Sequence, residues 1–568
     1  MSGLGLISAN GGNGGVSDGG GSGGRVAIQI SDPLDNFHGT ASAFGGNGLQ
    51  NGAAGTVYKQ YVNAGITRRD IVIDNNHLET ASKTVVSVPS DPVRLELRRD
   101  ALVTFDSATG DISFDDVIGD YSGTVLVTAG QTMRLSTTAG LKSPFALACK
   151  VRVEEGANIA LPQKVLFTDA SAGGPPNLEL RGTLLNVREM YVGENAKVLI
   201  ASKANTAVSS SVADSAGTVS FMQLHVTSGG VLEIGKDSDA RTSIIATDLV
   251  QVHYNGQISG RNLAVEAPVL KVAYKAMVDV DYGGQAEGSG SGKQGSGGSY
   301  GGCGGKSANG GVPLERVTGS MYEADTFGAT GGNSTTGTGG AGGGILKMTA
   351  SNKLQLDGTL SARGHSGVSG EGGGSGGSVR VDTAHVDGSG SVSVRGGDGG
   401  NAGGGGGGGG RIVLKVTGTN SFTGTLVTQG GHSTTGWVGG SGTVVINSKV
   451  HNAPYTSLHI DNGARNVTQI EGTYLKQGDN GDVTLDELHL GDNVYLHVID
   501  SDTKLTAHSL NCVGSAIIHV SDSLIFTADT SLSAVTIPCS FEMQQQGEIR
   551  LPSKVTFLGN KNVFAGTL

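Results

Sequence analysis

Apolar and polar residues alternate over short stretches along most of the chain, and no segment of useful length carries a helical period. From Ile345 onward the alternating runs recur. They begin at Ile345 (ILKMTA), Ser378 (SVRVDT), Arg411 (RIVLKV) and Thr443 (TVVINS), a nearly constant spacing. A second run follows each of the first three, at Gln355–Leu360, Gly390–Val394 and Phe422–Leu426. Alternation at period two predicts strands with one face buried. Similar strands recurring once per turn of chain are what a parallel β-solenoid requires, because each coil stacks on the last. Residues 57–282 carry denser short β-runs broken by Gly, Asn, Asp and Ser, which suits a solenoid with short turns; a pair of all-β sandwiches is the alternative. The expected fold class is all-β, a parallel β-solenoid (β-helix).

Glycine changes this picture. It supplies 98 of 568 residues, more than twice its ordinary share of about 7%, and it gathers in blocks with a period of three. Gly364, Gly367, Gly370, Gly373 and Gly376 keep the phase without a break, as do Gly397, Gly400, Gly403, Gly406 and Gly409. Three further blocks keep it with one serine substituted: Ser307 within 292–310, Ser334 within 328–343 and Ser17 within 11–23. Three residues per turn is the polyproline-II pitch, and glycine at every third place lets backbones approach closely. The expectation is that polyglycine-II (Gly-x-x) segments are inserted in the solenoid and packed as a bundle through backbone hydrogen bonds. A 13-residue run of such chain would span about 40 Å. A disordered Gly/Ser loop is the alternative, but disorder needs no phase. Ordering glycine is entropically unfavourable, so one such segment would not order alone.

A longer repeat encloses the short one. Gly23–Ile28 returns as Gly409–Leu414, Ala54–Val57 as Ser441–Val444, Ile73–Asn75 as Ile460–Asn462 and Leu161–Val165 as Leu551–Val555, at offsets of 386 to 390. Cys149 maps onto Cys539, and Gly182–Leu184 onto Gly566–Leu568. The expected organisation is 1–56, the Gly-rich coils that end one module; 57–282, the β-solenoid of the next; 283–442, its Gly-rich coils; and 443–568, the first half of a second copy of the 57–282 solenoid. Such a chain reads as a piece of a tandem array or one register of a polymer, since a free monomer is expected to carry capping repeats.

Charge and composition exclude several classes. The net charge is −11 and no Lys/Arg run occurs, which argues against nucleic-acid binding. No stretch of 18 apolar residues marks a membrane span. The start, MSGLGLISANGG, has neither the basic nor the apolar region of a signal peptide. With 12 Pro, and Gly concentrated in blocks, the chain is not collagen.

Candidate chemistry is sparse. Asp279 and Asp281 lie two apart on a strand and so share a face; paired carboxylates can bind Ca²⁺ or hydrolyse sugars, against the simpler reading of a solvated strand end. Asp115–Asp116 and Asp486–Glu487 are similar and less specific. Arg25 and Arg411 follow Gly runs and are placed to cap carbonyls of the last Gly turn. No Gly-Lys-[Ser/Thr] element follows a Gly block, so a nucleotide loop is excluded. Arg395-Gly396-Gly397-Asp398 occurs once, whereas calcium nonapeptides need the Asp in every repeat. Four cysteines are too few for a disulfide scaffold. Cys512 and Cys539 are 27 apart, near one coil, and can stack and bridge; Thr124 stands near the place of Cys512 in the first copy, so a bridge is not a rule of the module. Cys303 lies in a Gly run, free or linked to another chain. The 13 His are scattered and read as surface or turn residues. Asn333 and Asn466 open N-x-[Ser/Thr] sequons and are candidate glycosylation sites. No catalytic residue, cofactor or metal is expected.

SYGGCGG followed by GGGILKMTASNKLQLDGTLSARG, GGGSGGSVRVDT and GGGGGGGGRIVLKV resembles the glycine-rich tandem modules of very large cell-surface and extracellular-matrix proteins. The resemblance covers 1–56 and about 283–446 as a pattern. The Gly-x-x phase also resembles the polyglycine-II bundles of some phage tail-tip adhesins and of a small insect antifreeze protein, whose folds lack these β-coils. The resemblance implies a non-enzymatic structural or adhesive role at the cell surface or outside the cell. The leading expectation is a fibrous segment that stacks with further copies of itself. An adhesin or carbohydrate-binding spike, with glycans as partners, is the alternative; a polysaccharide-degrading β-helix enzyme and an ice-binding protein are lesser ones.

Overall fold

A computed structural model of the chain describes all residues except 1, 31–35, 64, 89–90, 92, 107–109, 136–142, 169–173, 210–211, 214, 286–289, 336, 464–470, 476–482, 499–503, 514–515, 521–522, 527–534, 538, 544–547, 552–554, 558–561 and 565–568. Among the described residues there is no helix, and strands pair mostly in parallel. The chain divides into two compact units. The first comprises 1–237, 243–248 and 253–257; the second comprises 238–242, 249–252 and 258–568.

In the first unit, three parallel ladders grow together as the chain advances. One runs through Thr84–Val86, Leu102–Phe105, Thr124–Val127, Lys150–Val153, Leu178–Leu180, Lys197–Ile200 and Val231–Ile234. A second runs from Asp111–Phe114 to Asn205–Ser209. A third runs from Phe145–Leu147 to Thr218–Val226. The pairing is set by what each strand buries. Val103, Val125, Val151, Leu178, Val198 and Leu232 follow one another in register down the first ladder, and none is more than 1% exposed. A slip of one residue would turn that column to solvent, losing about 1.5–3 kcal/mol for each side chain exposed.

The second unit repeats the scheme of parallel ladders, with paired residues 32 or 33 apart in sequence. Ile345 pairs with Ser378, Ser378 with Arg411 and Arg411 with Thr443, so the recurrence read along the sequence is the register of a parallel ladder. A second ladder joins Met277–Asp279, Thr359–Ser361, Ser391–Ser393 and Thr425–Val427. One boundary differs from expectation: Gln355 and Leu356 end the long first strand, and the second strand begins only at Thr359.

Among the described residues antiparallel pairs interrupt the parallel order: besides a short one between Asn205–Ser209 and Val212–Ala213, two hairpins stand at the same point of the long repeat. Thr56–Asn63 pairs with Ile66–Asp74 in the first unit, and Thr443–Val450 pairs with Ala453–Ile460 in the second. Val57 faces Val72, and at the equivalent place in the second copy Val444 faces His459.

Candidate functional site

The Gly-rich segments are the feature that ordinary β-proteins lack, and their amides are systematically engaged. Along 404–410 the N–H groups rotate among three neighbours. Gly404, Gly407 and Gly410 donate to Gly400, Gly397 and Val394; Gly405 and Gly408 to Gly295 and Gly298; Gly406 and Gly409 to Trp437 and Gly440. Along 372–377 the same rotation holds. Gly372 and Ser375 donate to Gly332 and Ala329; Gly373 and Gly376 to Gly405 and Gly408; Gly374 and Gly377 to His365 and Ala362. In the first unit, Gly20 and Gly23 donate to Gln50 and Ala53, and Gly21 and Gly24 to Gly12 and Ala9.

This close approach leaves no room for side chains. A Cβ on Gly376 would stand 1.8 Å from the Val394 carbonyl oxygen, and one on Gly409 would stand 1.7 Å from that of Thr428. The requirement extends beyond every third residue: a Cβ on Gly405, Gly407 or Gly408 would lie 2.0–2.1 Å from a carbonyl oxygen. A segment enclosed on three sides admits few side chains, which accounts for the unbroken run Gly403–Gly410; within 372–377 only Ser375 carries one, buried and accepting from Ala329 N.

The runs are not straight. Residues 362–365 lead out, the chain reverses around 368–370, and 372–377 return alongside them; 394–400 and 404–410 do the same around a turn at 401–403. Each arm is about seven residues at most, so a single 13-residue span is corrected to an out-and-back pair. Gly370 and Gly403 sit at these reversals. Gly403 has φ +104°, and around Gly370 the nearest atom to a Cβ is the Ser334 Cβ at 3.4 Å.

Buried polar side chains fix the edges of the segments. Asn75 is fully buried; its Oδ1 accepts from Gly45 N at 3.1 Å and its Nδ2 donates to Gly52 O at 3.3 Å. Asn462, its counterpart in the long repeat, accepts from Gly430 N at 3.0 Å and donates to Gly439 O at 3.2 Å. Thr84 and Thr473 each donate to the carbonyl before a glycine, at Ala54 and Ser441, both at 2.6 Å. The sequence repeat contained Asn75 and Asn462; what it could not reveal is that their amides face glycine backbone.

Arg411 does act on carbonyls, but not on those of the run before it. Its Nη2 donates to Thr318 and Gly319 at 3.1 and 3.3 Å, and its guanidinium lies 5.3 Å from the centre of the buried Tyr300 ring. Its Nε has no acceptor among the described residues. Burial pushes the Arg411 pKa down. Tyr300 in turn shares a 2.7 Å hydrogen bond with Ser378. The arginine thus ties the 311–327 loop to the ladder, whereas Arg25 is exposed.

The remaining candidates resolve individually. Asp281 accepts from Ser361 Oγ and from Arg363 N and Nε at 2.5–2.9 Å, which makes it one end of an ion pair, and Asp279 is buried. Asp116 accepts from Val117 N; Asp486 accepts from Thr456 N, and Glu487 from the Tyr455 hydroxyl. Arg395 and Asp398 pair at 2.7 Å, and Asp398 also accepts from His432 N. Cys512 and Cys539 form a disulfide with Cα atoms 5.2 Å apart. Cys303 is buried with Val317 and Tyr474, out of reach of a bridge to another chain; Cys149 is also buried, and burial pushes both thiols up to about 12. Asn333 is exposed and accepts from Gly339 N; Asn466 lies outside the described residues.

Histidine is where sequence reasoning fell short. Six of the 13 meet ring to ring: His459 and His489, and His497 and His519, stand directly opposite on paired strands, and His225 approaches His253. His225 lies between Tyr191 (rings 4.7 Å apart, 2° between planes) and His253. His459 meets His489 at 5.3 Å. Tyr474, His497 and His519 follow one another in register, with rings 4.3 and 4.6 Å apart. Arg316 stands over Tyr474, and Glu542 pairs with His519 at 3.2 Å. Burial first, then the charges of His519 and Arg316, hold His497 down at about 4. Burial and the neighbouring histidine likewise lower His225 and His459. Among the described residues no group of three or more His, Cys, Asp or Glu converges as a metal site, and no helix is long and apolar enough to cross a membrane.

No protein family, curated protein or solved structure matches this chain.

Proposed function

We propose that this chain is a structural repeat segment of a fibrous protein, extracellular or at the cell surface, in which a parallel β-solenoid carries polyglycine-II segments packed as a bundle and modules stack in tandem or head to tail into a stiff filament. The observation that carries the reading is the rotation of the 404–410 amides among three neighbours, a bonding scheme that stiffens backbone without side chains. Its recurrence around 20–24, and the return of the hairpin and the buried asparagine at equivalent places in the long repeat, support a module used more than once. The proposed modules keep the boundaries at about 56, 282 and 442. The role is non-enzymatic: Asp281, the best carboxylate candidate, is occupied by Arg363. Unpaired sheet ends favour addition of another copy.

Cryo-microscopy and fibre diffraction of the isolated material test this. A thin filament with a strand repeat near ~4.8 Å along its axis is expected. A compact monodisperse particle of 57.2 kDa with no tendency to assemble overturns the filament.

A further inference from the structure

We infer that His225 and His253 form a bidentate site for a divalent transition-metal ion such as Zn²⁺ or Cu²⁺. The site lies within the first unit and is independent of the scaffold role proposed above.

The argument starts one residue away from the rings. Gln223 Nε2 donates to Asp248 Oδ2, which turns Gln223 Oε1 toward His225 Nε2 at 3.3 Å. An amide oxygen only accepts, so His225 carries its proton on Nε2 and a lone pair on Nδ1. That lone pair faces His253 Nε2 at 3.4 Å. The separation, like the 3.3 Å from Gln223, is at the long end of hydrogen-bond distance. It matches the edge of a tetrahedral site, since two nitrogens about 2.0–2.1 Å from a shared ion stand about 3.3–3.4 Å apart. Tyr191, stacked flat on the other face of His225, holds the ring in place, and Glu189 holds the Tyr191 hydroxyl at 3.1 Å. The Asp248–Gln223–His225 chain is the kind of outer support that fixes the tautomer of a ligating imidazole. Imidazole pairs suit Zn²⁺, Cu²⁺ and Ni²⁺ over Ca²⁺ or Mg²⁺. Both rings are only half-buried, so an ion can enter and water can complete its coordination.

The test is calorimetric titration of Zn²⁺ into the intact chain in metal-stripped buffer. The wild-type chain is expected to bind one Zn²⁺ more than either His225→Gln or His253→Gln, and the double variant to lose no more than each single one. Tyr191→Phe keeps the ion. Full Zn²⁺ stoichiometry and affinity in either single variant overturns the proposal, as does a wild-type chain that binds neither Zn²⁺ nor Cu²⁺. A second measurement does not depend on variants folding. In the wild-type chain, Zn²⁺ should protect His225 and His253 together from diethyl pyrocarbonate, read by peptide mass spectrometry; equal modification with and without Zn²⁺ overturns the site.

Discussion

Asn462 closes on Gly430 and Gly439 the same pair of hydrogen bonds that Asn75 closes on Gly45 and Gly52. In each case a side-chain amide supplies the donor and acceptor that a glycine edge would otherwise leave buried and unpaired. Asn75→Ala and Asn462→Ala should therefore each destabilise the protein by about 1–3 kcal/mol. Urea unfolding measures the loss, and an Asn462→Ala protein as stable as wild type would contradict the clamp.

Gly409→Ala and Gly370→Ala separate close packing from mere glycine content. At Gly409 the new methyl meets the Thr428 carbonyl, and a loss of about 3 kcal/mol or more is expected. At Gly370 the nearest atom is 3.4 Å away, and the change should stay within about 0.5 kcal/mol. Thermal unfolding of the two variants side by side reads the difference.

Hydrogen exchange tests the bonding scheme directly. Amides of 372–377 and 404–410 should be protected to the degree of the ladder strands Ile345–Leu356 and Ser378–Gly388. Exchange at the rate of free chain would reduce these segments to tethers.

His497 makes stability depend on pH. Its pKa falls from 6.5 in free chain to about 4 in the fold, so the unfolded chain takes up the proton first as pH drops. The contribution is fully present above pH 6.5 and is lost progressively as pH falls through about 4; it amounts to no more than about 3 kcal/mol. Urea midpoints of wild type and His497→Gln should diverge across that window, with the variant less sensitive to acid.

The cysteines give a simple count. The native protein should react slowly if at all with a thiol reagent, the denatured unreduced chain should show two thiols, from Cys149 and Cys303, and reduction should expose Cys512 and Cys539 as well. Removing the bridge with Cys512→Ser should lower stability by about 3–4 kcal/mol on the loop-entropy estimate for a sequence separation of 27.

Much of the β-architecture was legible because it is periodic along the chain. The starts at Ile345, Ser378, Arg411 and Thr443 turned out to be partners in register, and Gly364, Gly373, Gly376, Gly406 and Gly409 of the triplet phase lie where backbones touch. What escaped was information that exists only between paired strands. The hairpins that turn between Asn63 and Ile66 and between Val450 and Ala453 went unread, since alternation is the same for both pairing directions and a short turn signal does not say which partner follows. His225 and His253 look unrelated until the strand pairing is known, and the sequence spacing of paired strands in the first unit varies too much to read directly. Arg411 was recognised as a carbonyl donor, but its acceptors at 318 and 319 belong to a loop with no periodicity to locate it. The triplet phase itself hid the reversals at 368–370 and 401–403, because glycine serves a tight turn as well as a close contact.

The spread of partners around 404–410 also dictates an order of assembly. Gly405 and Gly408 wait for acceptors made much earlier, at Gly295 and Gly298, while Gly406 and Gly409 wait for Trp437 and Gly440, which a ribosome has yet to synthesise. With no side chains to drive an early collapse, the segment can close only once these distant stretches have been brought into place by their own ladders. Its closure therefore depends on all of them, as a keystone's does, so damage to a neighbouring ladder should loosen it together with that ladder.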